Sequence, residues 1–139
     1  MNNPGYLNPL TERQKNMCAY SGVFGVMLTI TCLVQHLVVT RSMWVTNLMT
    51  LGYIIITISF LMLGLLKSFA PWLVAGSAVL AVGMQVVWMK AYSFSMAVTL
   101  LFIYHVIILV MLFNDKIPGK LRAKRLAELA EEREWMGKL

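Results

Sequence analysis

Charge is what this sequence lacks. Between Lys15 and Asp115 only Arg41, Lys67 and Lys90 carry one, and no acidic residue lies among them. The uncharged runs between these marks are 25, 25, 22 and 24 residues long. A hydrocarbon core about 30 Å thick takes roughly 20 helical residues to cross, so each run holds one crossing and a short turn. The same absence bears on function. Ion-coupled carriers and proton relays bind and release their ion at an intramembrane carboxylate or another ionisable group. Here only histidine is on offer, which disfavours proton-driven export. There is also no nucleophile–base–orienter set, no Gly-rich phosphate loop and no pair of facing carboxylates. No catalytic residue is assigned, and the chain alone is not read as an enzyme, although it fits as a subunit of an enzyme complex.

Cysteine is scarce as well. Cys18 and Cys32 are 14 positions apart on one helix, roughly 20 Å along its axis, too far to bridge. Neither belongs to a metal-type spacing, so no metal site is expected. Methionine is the abundant sulfur residue, with 11, but it forms no dense motif and reads as adaptable packing.

What is present is apolar bulk. Of 139 residues 59% are hydrophobic, and the mean hydropathy is +0.72, outside the range of a soluble domain. The expected fold is an all-α polytopic membrane protein, a four-helix up-down bundle with both termini cytoplasmic. Residues 1–16 form a cytoplasmic lead-in, with a Thr11–Gln14 capping box starting a helix at Glu12. Residues 17–113 hold the spans, at about 17–39, 45–66, 72–89 and 95–113. The first apolar run is too long for a signal peptide and lacks a small-residue cleavage site, so it reads as a retained span. Arg41 and Trp44 mark the first turn, Lys67 to Trp72 the second, and Lys90 to Phe94 the third, with Trp88 and Tyr92 as interface residues. Pro71 suits the opening of the third helix, where a missing N–H does no harm.

Residues 114–139 form a charged helical tail, basic in its first half and acidic in its second. Lys124 and Glu128 are spaced to pair across one turn. Leu121, Leu126, Leu129 and Met136 share a broad face, interrupted by arginines, that could dock a partner. Of the 12 Lys and Arg residues, all but Arg41 and Lys90 fall on the side of the two termini and the second turn. Positive-inside asymmetry therefore places both ends in the cytoplasm, most simply of a bacterial inner membrane. The net charge of +6 and pI near 9.6 are explained by topology and lipid headgroups, and nucleic acid is not expected as a partner.

Small residues should mark where helices meet, because in lipid association depends on close packing and interhelical hydrogen bonds. Gly22 and Gly25 qualify on the first helix, and Gly76, Ser77, Ala81 and Gly83 on the third, which reads as the central one. His105 falls near mid-membrane. Counting equal distances from the cytoplasmic charges puts Gly25, Thr57 and Ser77 at its level. It reads as a hydrogen-bonded packing residue, with a cofactor-ligand or proton-handling role as the alternative. His36 lies near the outer interface, where water or headgroups would satisfy it, and is a weaker cofactor candidate. The remaining intramembrane polar residues, Gln35, Asn47 and Gln85, gather toward the outer half.

Three functional readings follow. The first is a small non-catalytic subunit of a larger membrane complex, with lipid and other integral subunits or copies of itself as partners. The second is a small homo-oligomeric transporter or channel, its path needing Gln35, Gln85 and His105 brought together across subunits. The third is a haem- or quinone-binding membrane anchor of a respiratory enzyme, with the cofactor shared with another subunit. No cofactor is expected on this chain alone.

Overall fold

A computed structural model of the chain describes residues 9–39, 43–91 and 94–139, with the backbone alone for 43–46. The expected irregular lead-in through residue 8, the Arg41 turn with its Trp44 anchor and the interface role of Tyr92 lie outside what is described. Five helices follow in order: α1 Glu12–Val39, α2 Met43–Gly64, α3 Ala70–Ala91, α4 Met96–Asn114 and α5 Ile117–Gly137. Among the described residues there is no strand. α1 to α4 are each long and apolar enough to cross a membrane.

The ends are set by local chemistry. The Thr11 N–H donates to Gln14 Oε1 and the Gln14 N–H to Thr11 Oγ1, both at 3.1 Å, a reciprocal cap that opens α1. α2 closes in a Schellman arrangement. The Leu66 N–H reaches Leu63 O and the Lys67 N–H reaches Met62 O, each at 3.1 Å, while Leu66 takes the left-handed conformation at φ 57. Pro71 lies in the first turn of α3, and Ser95 caps α4 by accepting the Val98 N–H. Lys116, also left-handed at φ 56, turns the chain into α5, whose opening turn holds Pro118.

Inside, each spanning helix buries one stripe, and the stripes share a rhythm. α1 buries Cys18, Gly22, Gly25, Thr29, Cys32 and His36. α2 buries Met49, Tyr53, Ile56, Phe60 and Leu63, and α4 buries Val98, Leu101, His105, Ile108 and Leu112. Steps of three and four in alternation average 3.5 residues, the repeat of helices that wrap left-handedly with small crossing angles. α1 packs on α2, α2 on α3, α3 on α4, and α4 closes against α1. The closest approach is between α1 and α2. A Cβ built on Gly22 would come within 2.7 Å of backbone atoms of Phe60 and Gly64.

The expected packing role of Gly76 and Gly83 does not hold within this chain. Both are exposed, and a Cβ on either would meet nothing within 4 Å. The seam of α3 runs instead through Val74, Ser77, Ala78, Ala81, Met84 and Trp88, one position round from the two glycines. Ser77 and Ala81 keep their packing role.

Among the described residues, α5 is held chiefly at its start. Ile117 and Leu121 are buried where α5 meets α3 and α4, and Lys120 Nζ donates to Gln14 Oε1 at 3.0 Å. From Arg122 onward the helix is exposed apart from Ala123 and Leu129, which are half-buried. Leu121 is therefore the anchor of α5 and is not available for docking a partner.

Candidate functional site

The polar side chains of the interior collect at two levels, one around each histidine. His105 belongs to the buried stripe of α4 and has no exposed surface. Its Nδ1 lies 2.8 Å from Leu101 O. A carbonyl can only accept, so Nδ1 carries a proton. Ser77 Oγ lies 3.0 Å from Nε2, and the same hydroxyl is 2.9 Å from Val74 O, so this one serine joins the ring to the backbone of α3.

Phe60 covers the imidazole at 4.9 Å between centroids and touches Tyr104 at 5.5 Å. Its ring fills the notch left by Gly25, where a Cβ would overlap it. Tyr104 in turn donates its hydroxyl to Ser21 O on α1. Residues from all four spanning helices thus meet at this level. Thr57, expected to help satisfy His105, bonds back to Tyr53 O instead.

His36 is also fully buried, which corrects its expected place in contact with water or headgroups. Its ring packs on Tyr53 at 5.8 Å and edge-on to Trp88 at 6.2 Å. The reason is the stripe of α1. Small and polar residues repeat from Cys18 at steps of four and three, and His36 is the last of them.

Near it, Ser95 donates to Gln35 Oε1 and Gln85 Nε2 donates to Thr99 Oγ1, both at 2.9 Å. These bonds tie α4 to α1 and to α3. Thr50 Oγ1, Tyr53 OH and Gln85 Oε1 are buried and have no hydrogen-bond partner among the described residues. Asn47 is exposed and joins neither level.

The two histidines are not brought together. Tyr53 and Phe60, which touch one each, are seven residues apart on α2, roughly 10 Å along its axis. Trp88 and Ser77 are eleven apart on α3, roughly 16 Å. Both nitrogens of His105 are engaged, so a cofactor could ligate it only by displacing Ser77. Among the described residues, no three metal-type side chains form a group.

Comparison of this chain with family models, curated sequences and solved structures finds no match.

Sequence reasoning placed Ser77 level with His105 but missed Phe60, Tyr104, Ser95 and Thr99. Ser95 and Thr99 had a signal, because two hydroxyls one turn apart at the start of a span suit bonding between helices. The aromatics had none, since nothing distinguishes a ring facing inward from one facing lipid.

Proposed function

We propose that this chain is a non-catalytic integral subunit of a larger membrane complex, in an accessory, scaffolding or assembly role. On this reading it stands in a bacterial inner membrane as an up-down bundle with both ends in the cytoplasm. Ten basic residues on the side of the termini against two on the other support that orientation.

The observation that carries the reading is α5 beyond Leu121. This stretch stays helical to Gly137 and, among the described residues, has little of the bundle against it beyond Pro9, Leu10 and Lys15. Its own ion pairs, such as Lys124–Glu128 at 3.9 Å and Arg125–Glu128 at 3.6 Å, contribute a few tenths of a kcal/mol each. Most of a helix's stability in a protein comes from packing one of its faces against something else. It also exposes Leu126, Trp135 and Met136 among glutamates. A second protein packed around this stretch would account for both the order and the exposed apolar groups, since Leu126 and Trp135 lie on opposite sides of the helix. Purification in mild detergent tests the idea. Unlike chains should accompany the native protein and be released by Leu126→Asp with Trp135→Ala, while the bundle stays folded. Recovery of the chain alone, or only with copies of itself, refutes it.

The second reading, a homo-oligomeric transporter or channel, draws on the orphaned polar atoms of Thr50, Tyr53 and Gln85 in the outer half. It loses His105, which is enclosed within one bundle and lines no face that subunits could share.

A further inference from the structure

Between the α2–α3 turn and α5 runs a groove of about 320 Å³, bordered by Leu65, Lys67, Ser68, Phe69, Lys124 and Arg125. Leu66, Leu121 and Glu128 complete its lining. We propose that it binds the phosphate headgroup of an anionic phospholipid, with the acyl chains lying along Leu65 and Phe69. The inference assumes that the four helices cross a bilayer, and does not depend on a protein partner.

Position, charge and unused donors support it. Lys67 stands three residues past the end of α2, so the groove lies at the depth where apolar span gives way to headgroups. Leu65 and Phe69 are exposed there, 63% and 50%. Three cations border the groove against one acid, Glu128, which is shared between Lys124 and Arg125. Arg125 also reaches Glu132 at 3.9 Å. Lys67 is exposed and, among the described residues, has no ion pair. Beside it the Ser68 hydroxyl and the backbone N–H groups of Ser68 and Phe69 donate to no acceptor in the described chain. A phosphodiester presents the acceptor oxygens that such donors need, and a positive layer at the membrane surface favours its charge. The diester also arrives with the chains that fit the apolar rim, as free phosphate does not.

Native mass spectrometry of the full-length protein, released from phosphatidylcholine nanodiscs doped with phosphatidylglycerol, reads the site directly. The native chain should retain phosphatidylglycerol in preference to phosphatidylcholine. Lys67→Gln with Arg125→Gln should weaken retention about fivefold for each cation removed. Arg13→Gln with Lys138→Gln, an equal loss of charge away from the groove, should leave it unchanged. If both pairs lower retention alike, or neither does, the groove is not a site and the proposal fails. If inorganic phosphate in the millimolar range displaces the lipid completely, the ligand is soluble phosphate and the lipid assignment is overturned. Lys67→Gln alone, at an exposed side chain with no ion pair, carries the test should the double variant fold poorly.

Discussion

The contact between α1 and α2 offers the sharpest test of how the bundle is held. Alanine at Gly22 adds one methyl group whose Cβ would stand 2.7 Å from Gly64 N and Phe60 O. These are backbone atoms and cannot turn aside. To reach ordinary contact near 3.4 Å the two helices must separate by roughly 0.7 Å, loosening neighbouring contacts along the seam. At Gly25 the obstacle is the Phe60 ring, which is itself confined by His105 and Tyr104. Overfilling a packed interior typically costs about 1–3 kcal/mol, and both substitutions belong in that range. Gly52 is milder, because the nearest atom is the flexible Met84 Sδ. Gly76 and Gly83 meet nothing, so alanine there should be neutral or slightly stabilising through helix propensity. Unfolding in mixed micelles, with rising detergent denaturant and helix content followed by circular dichroism, ranks all five. Equal effects at Gly22 and Gly76 would refute the placement of the seam.

Three further outcomes follow from the same geometry. Ser77→Ala should destabilise the bundle by about 0.6–1.7 kcal/mol, the range for a hydrogen bond between helices in lipid; His105→Gln, which keeps a polar group there, should change assembly little in the same titration. Thr11→Ala removes one half of the reciprocal cap and should lower stability by about 0.5–2 kcal/mol, with hydrogen exchange rising first in the opening turns of α1. Limited trypsin digestion should cut after Lys124 or Arg125 before it cuts after Lys120, whose side chain is tied to Gln14; Leu121→Ala should erase that order by freeing the start of α5.

How much of this was legible in the residues depended on contrast. Span positions came from charge, and the helices begin and end within about two residues of the expected bounds because isolated lysines and turn chemistry mark them. The Thr11–Gln14 cap and the Lys124–Glu128 pair were equally readable, since both are local. Helix faces were not. In α2 to α4 an apolar residue occurs on every side, so periodicity cannot say which side faces in. That is why Gly76 and Gly83 passed for a seam that lies one residue away. Depth was easier than direction. Counting from Lys67 and Asp115 matched Ser77 with His105, but counting from Arg41 left His36 near water when its ring faces inward. The alternation from Cys18 to His36 held the missing information, because a run of small and polar residues at steps of four and three marks a face turned away from lipid.

One consequence of Phe60 reaches beyond packing. Its ring is seated in a notch of α1 while touching two neighbours on α4, and its own backbone belongs to α2. A side chain placed like this behaves as a key in a slot shared by three shafts. Any one of them can slide or roll about its long axis only if the other two yield, so this half of the bundle must move as a rigid block or not at all.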